Sequence, residues 1–165
     1  MEKIVFYSPI ENFQIPSKRE EDAGYDLFVC LPKDPILREL QIAESLKDNG
    51  KAILVNLNLC MALPMGYFGK VEDRSSMGAS GFKTAGGVID CGYRGSVKVC
   101  FQYNGEADRD YKMEQLYKKM VDGTAIAQMI VEEYASFDTE VELDYQKFLN
   151  IKSERGINGF GSTDK

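Results

Sequence analysis

"SVKVCFQY", residues 96–103, alternates apolar and polar side chains, placing Val97, Val99 and Phe101 on one face. A period of two is the mark of a strand with one buried face. Working outward, "AILVNLNLCMAL" (52–63) alternates over most of its length, and "KIVFY" (3–7), "AIAQMIVEEY" (125–134) and "TEVELDY" (139–145) continue the pattern with turn residues between them. Many short strands at intervals of about ten to twenty residues predict an all-β sandwich, jelly roll or barrel. Two stretches break the alternation. "PILRELQIAESLKDNG" (35–50) sets Ile36, Leu37, Leu40, Ala43 and Leu46 near helical spacing, and "DYKMEQLYKKMVDG" (110–123) does the same with Met113, Leu116, Tyr117 and Met120. Both predict short amphipathic helices in a β framework.

At 165 residues, 44% of them hydrophobic and 28% charged, the chain fits one soluble domain with a core of its own. No apolar run approaches the length of a membrane span, and the first residues lack the apolar stretch of a signal peptide, so no membrane partner and a cytoplasmic or nuclear location are expected. The widely spaced Cys30, Cys60, Cys91 and Cys100 form no zinc pattern and read as free, mostly buried thiols. A formal net charge of −6 disfavours a nucleic-acid groove, and any polyanionic ligand needs a local basic cluster or a metal. The chain has no histidine, so a general base must be Asp, Glu, Lys, Tyr or Cys.

The chemistry concentrates in a few places. In "GGVIDCGYRGSVKV" (86–99) a turn-rich "CGYRG" separates two strand-like arms. A symmetric hairpin about Gly92–Tyr93 would set Gly87 opposite Lys98 and Asp90 opposite Gly95. Asp90 there is either a turn cap or a general base, with Tyr93 as a flat wall. "VEDRSSMGASGF" (71–82) offers Arg74, Ser75 and Ser76 backed by Gly78, which suits either phosphate or a helix cap. Asp26 in "AGYDLF" reads as a turn residue or a functional carboxylate, and Gln128 as an outward-facing residue of an apolar strand. The tail "ERGINGFGSTDK" (154–165) is too loose for core. Arg155, Ser162 and Thr163 are phosphate-type donors, Gly156, Gly159 and Gly161 permit close backbone approach, and Phe160 can stack on a ring.

Together these segments resemble the trimeric dUTPase family, the deoxyuridine triphosphate nucleotidohydrolases. Five ordered motifs carry the resemblance: "AGYDL" (23–27), "DRSSMG" (73–78), "GVIDCGYRG" (87–95), "GTAIAQMI" (123–130) and "RGINGFGST" (155–163). The resemblance implies a distorted jelly-roll β barrel in residues 1–150, a flexible arm in 151–165, and a homotrimer with sites at subunit contacts. It implies hydrolysis of dUTP to dUMP and pyrophosphate with Mg²⁺. Asp90 would activate water for attack on the α-phosphorus, Tyr93 would pack beneath the deoxyribose, and main chain around Gly87 and Lys98 would read uracil. Arg74, Ser75, Ser76 and Gln128 would hold phosphates, and Asp26 would position Mg²⁺ through water. Arg155, Gly161, Ser162 and Thr163 would clasp the γ end while Phe160 covers the base.

The chain departs from the family pattern at Asp73, which either points away or joins the metal's water shell, and at Ser96, Thr124, Ala125 and Asn158. The stretch 104–123 is longer than typical. A dCTP deaminase of the same superfamily would carry glutamate where Cys100 stands. A non-catalytic nucleotide-binding β protein would show damage at Asp90, Arg74 or the tail.

Overall fold

The structure is a computed structural model, which describes residues 3–48, 52–103 and 108–152. In chain order its elements are β1 (Val5–Tyr7), β2 (Tyr25–Leu27), α1 (Pro35–Ser45), β3 (Leu46–Asp48), β4 (Ile53–Asn56), β5 (Cys60–Ala62) and β6 (Tyr67–Glu72). There follow α2 (Ser75–Ala79), β7 (Phe82–Ala85), β8 (Val88–Asp90), β9 (Lys98–Tyr103), α3 (Arg109–Val121), β10 (Ala127–Glu133) and α4 (Tyr145–Leu149). The chain divides into two units, residues 1–135 and 136–165. Every strand among the described residues belongs to the first.

The strands form three antiparallel sheets, ordered β1-β5, β2-β10-β6-β8 and β3-β4-β9-β7. Among the described residues these ladders do not close into a continuous barrel. They share one core instead. Val97, Val99 and Phe101 are all buried, as the alternation predicts, and join Ile53 and Val55 of β4, Val71 of β6 and Met129 of β10. Phe82 meets Phe101 edge to face at 5.5 Å, where two fully enclosed rings fill the space beside β7 and β9. No helix among the described residues is long and apolar enough to cross a membrane, and the four cysteines are free.

The two predicted helices are present. Asp34 caps α1 by accepting from the Leu37 amide at 2.9 Å, and Pro35 opens it, where a missing N–H costs nothing. In α3, Leu116 and Met120 are buried and Met113 and Tyr117 half-buried, so the predicted face packs inward. The face predicted for α1 does not. Ile36, Leu37 and Leu40 are 72%, 55% and 58% exposed, while Ile42 and Ser45 are buried. Ser45 Oγ meets Asn58 Nδ2 at 3.1 Å, which makes its burial tolerable. Leu46, expected on the helix, begins β3 and pairs with Val55.

Two other expectations are corrected. "TEVELDY" forms no strand: Val141 and Leu143 are 79% and 92% exposed, and Asp144 caps α4 by accepting from the amides of Gln146 and Lys147. Alternation needs a partner strand, and this segment has none among the described residues. The symmetric hairpin about Gly92–Tyr93 also does not form. β8 pairs with β6 and β9 with β4 and β7, so the arms enter different sheets. β9 is paired on both edges, by β4 and β7, and β8 lies on the edge of the other sheet beside β6.

Candidate active site

Pairing across the first four-stranded sheet sets the geometry of the candidate residues. Asp26 on β2 stands opposite Gln128 on β10, which stands opposite Glu72 on β6. The chain leaves β6 through Asp73 and Arg74 into α2. Asp26, Arg74, Ser75, Ser76 and Gln128 therefore line one open pocket of about 890 Å³. Arg74 Nη1 lies 3.5 Å from Asp26 Oδ2, with both side chains about a third exposed. Gln128 donates from Nε2 to the Asp73 carbonyl at 2.8 Å, which ties β10 to the segment carrying Arg74. A Cβ on Gly24 would lie 2.6 Å from Gln128 Oε1, so glycine at that position leaves room for the amide. Gln128 is thus a strut of the pocket and not the plain outward-facing residue its strand position suggests.

Asp73 points away. Its carboxylate accepts from the Thr84 amide at 2.6 Å and from Lys83 Nζ at 2.8 Å. Partial burial pushes this carboxyl up, but the Lys83 ammonium and the Thr84 donors outweigh it and hold Asp73 below the usual carboxylate range. The same pair raises Lys83. Asp73 therefore fastens the Arg74 segment to β7 and adds no charge to the pocket lining.

Asp90, Tyr93, Gly87 and Lys98 lie in a second cleft, of about 190 Å³, closed behind by Val71 and Val97. The diverging arms of the turn form its walls. On one side the Val71 amide donates to the Gly87 carbonyl at 2.7 Å, and on the other Val97 bonds to Leu57 and Leu59. A Cβ on Gly87 would stand 2.6 Å from the Val71 carbonyl oxygen, so this wall admits only glycine without backbone movement. The Tyr93 amide donates to the Asp90 carbonyl at 3.0 Å, closing the turn, and Tyr93 Oη donates to the Ser96 carbonyl at 3.1 Å, fixing the ring. Ser96 in turn bonds to Asn56 through its hydroxyl. Asp90 itself is exposed, and its other side borders an apolar hollow lined by Phe68, Val88, Cys91 and Tyr134.

The nine candidates within the described residues thus fall into two groups, in two clefts on opposite flanks of β6. Asp90 pairs with Phe68 and Gln128 with Glu72, on opposite flanks of the same strand. Strand rise and spacing place their backbones roughly 16 Å apart. Arg155, Phe160, Gly161, Ser162 and Thr163 lie outside the described residues.

The pocket also contains Ser17, Lys18, Arg19, Glu21 and Asp22, which motif reasoning left out. The available signal was the charged run "KREED" directly before "AGYDL".

Among the described residues no group of three acidic, cysteine or histidine side chains could hold a metal by itself. Asp26 is the one motif carboxylate in the phosphate-type pocket. That donor set fits Mg²⁺, which typically keeps several waters and takes one or two carboxylates together with substrate phosphates.

Comparison with known proteins bears on the family and the fold. The sequence profile of the dUTPase family matches residues 11–164. A deoxyuridine 5'-triphosphate nucleotidohydrolase of Candida albicans is 33% identical over 144 residues, covering 87% of this chain and 76% of that protein. One from Yarrowia lipolytica is 32% identical over 163 residues, covering 98% and 87%. In fold, the solved dUTPase of Staphylococcus bacteriophage 80alpha with dUPNHPP superposes with a TM-score of 0.69 over 99% of each chain, at 20% identity. With its described motif residues gathered in two clefts and its sequence matched over residues 11–164, the chain belongs to the dUTPase family.

Proposed function

We propose that this dUTPase-family chain hydrolyses dUTP to dUMP and pyrophosphate in sites completed between copies of itself, with Asp90 as the base. The observation that carries the reading is the division of the candidate residues between two clefts. A water activated by Asp90 must attack a phosphorus whose neighbouring phosphates are held by Arg74, Ser75, Ser76 and Gln128. Asp90 and Gln128 stand on opposite flanks of β6, their backbones roughly 16 Å apart, and the two clefts are lined by different residues. A second copy presenting its phosphate pocket to Asp90 resolves the mismatch. The apolar hollow beside Asp90, with Val88 65% exposed, supports a covered surface there. A closed ring of three such head-to-tail contacts is the homotrimer that the family resemblance implies.

In this reading uracil enters the cleft between the arms, where main chain around Gly87 and Lys98 pairs with its edge. A site that hydrogen-bonds one base leaves its own groups unpaired with another, which can discriminate by ~10⁴. Tyr93 packs beneath the deoxyribose and leaves no room for a 2'-hydroxyl. Asp90 takes a proton from water, the oxygen attacks the α-phosphorus, and the bond from that phosphorus to the bridging oxygen of the β-phosphate breaks, releasing pyrophosphate. Arg74 and Gln128 hold the departing phosphates and offset the charge that develops there. Mg²⁺, positioned by Asp26 through water, supplies further neutralisation when bound. Arg155, Phe160, Gly161, Ser162 and Thr163 of the 151–165 arm then close over the γ end and the base, excluding bulk water.

The direct test is incubation of the purified protein with Mg²⁺ and dUTP, dTTP or dCTP. The expected result is one dUMP and one pyrophosphate per dUTP, with little turnover of the others. Ammonia release from dCTP, or no pyrophosphate from dUTP, contradicts the reading.

A further inference from the structure

The loop that leads into β2 carries two cations into the phosphate pocket, and the reaction described above gives them no part. The Asp26 amide donates to the Ser17 carbonyl at 3.0 Å, so the loop is pinned beside the pocket. Lys18 Nζ donates to the carbonyls of Asp22 at 2.7 Å and Arg19 at 3.4 Å, and stands 5.8 Å from the Tyr25 ring centre. Arg19 forms a two-pronged pair with Asp22, Nε to Oδ2 at 2.8 Å and Nη2 to Oδ1 at 2.9 Å. That hydrogen bonding raises Arg19 and lowers Asp22. The Arg19 side chain is nonetheless 88% exposed.

Charge in the pocket is balanced. Lys18, Arg19 and Arg74 face Glu21, Asp22 and Asp26. A balanced pocket has little net attraction for a polyanion, so a cation must be released to receive one. The Arg19–Asp22 pair is the one best suited. An exposed ion pair contributes little stability, and a guanidinium binds two phosphate oxygens with the same fork it offers a carboxylate. The two oxygens of Asp22 occupy the fork as a phosphate would.

We propose that Lys18 and Arg19 bind the phosphates distal to the sugar, and that Asp22 is a stand-in anion that holds Arg19 until phosphate displaces it. This rests on the dUTP-hydrolysing reading, in which the α-phosphate lies toward Asp90 and the distal phosphates fill the larger pocket. Lys18, held by carbonyls and the Tyr25 ring, is placed in advance, whereas Arg19 exchanges partners.

The test uses the full chain with Mg²⁺, and dUTP, pyrophosphate and dUMP as probes. Replacing Lys18 and Arg19 together by alanine should raise KM for dUTP, and the inhibition constant of pyrophosphate, by about tenfold. Inhibition by dUMP, which lacks the distal phosphates, should not change, and kcat should change little. Asp22→Asn separates this role from a merely structural turn. It frees Arg19 and should lower KM for dUTP, whereas a turn that needs Asp22 only for shape would give a raised KM and a lower Tm. An unchanged KM in the double variant, or an unchanged or raised KM in Asp22→Asn, overturns the proposal. Wild-type turnover measured alongside keeps the two readings apart. If wild type releases no pyrophosphate, the reaction assignment fails. If wild type is active and the variants match it, only the loop's role fails.

Discussion

Mixing two inactive variants should restore activity if, as proposed, each site takes its base from one chain and its phosphate ligands from another. Asp90→Asn removes the base and Arg74→Ala the phosphate clamp, and every chain in the mixture carries one of the two lesions. Were both groups to serve one chain's own site, no site in any mixture could be whole. Across a ring of identical contacts, a site takes Asp90 from one chain and Arg74 from its neighbour. In a three-chain ring that holds both variants, one of the three contacts joins an intact Asp90 to an intact Arg74, so about one third of the sites are complete. The geometric basis is the offset along β6: from Phe68, beside Asp90, to Glu72, beside Gln128, is ~13 Å of strand, with two strand spacings added crosswise. The assay is pyrophosphate release after the two variants, carrying different tags, are co-expressed and the mixed species purified through both. Purification through both tags ensures that mixed assemblies are present. Recovery to about a third of wild-type rate meets the expectation. Activity no higher than either variant alone refutes the division of the site between copies.

Two glycines should behave in opposite ways. In Gly24→Ala the new Cβ meets the movable end of Gln128, so Tm should hold nearly constant while KM for dUTP rises. In Gly87→Ala it meets the Val71 carbonyl, so backbone must shift, at a cost of about 1–3 kcal/mol in chemical denaturation and with loss of the uracil cleft. The Asp73 contacts predict a pH dependence. Its folded pKa is depressed, so its contribution is present above the unfolded value and is lost as pH falls through the folded one. Asp73→Asn should therefore cost about 1–2 kcal/mol at neutral pH, discounted for the exposed Lys83, and the difference from wild type should begin to shrink at about pH 4 and vanish only below the depressed folded pKa of Asp73. A difference that persists undiminished at low pH would count against the ion pair.

The fold was legible wherever burial acts locally. Val97, Val99 and Phe101 announce a strand because one face of β9 is solvent-free, and Leu116 and Met120 mark the packed side of α3 for the same reason. Local reasoning failed where the partner was distant. The turn residues at 91–95 suggest a hairpin, yet β8 pairs with β6 and β9 with β4 and β7, partners that the turn itself does not reveal. Helical spacing in 35–50 locates α1 but not its buried side, because Ser45 is inside only through its bond to Asn58. The described motif residues line two clefts, since short ordered segments bring their backbone context with them. Lys18 and Arg19 escaped notice because a run of mixed charge has no periodicity, and only the coordinates place it beside Arg74.

Isotope labelling of products in ¹⁸O-water, comparing wild type with Asp90→Asn, tests the assignment of Asp90 most directly. Wild type should place one ¹⁸O in dUMP and none in pyrophosphate. The variant should still bind dUTP and should lose about 10²–10⁴-fold in turnover. Label in pyrophosphate, or an Asp90→Asn rate near that of wild type, would contradict a water activated by Asp90 attacking the α-phosphorus.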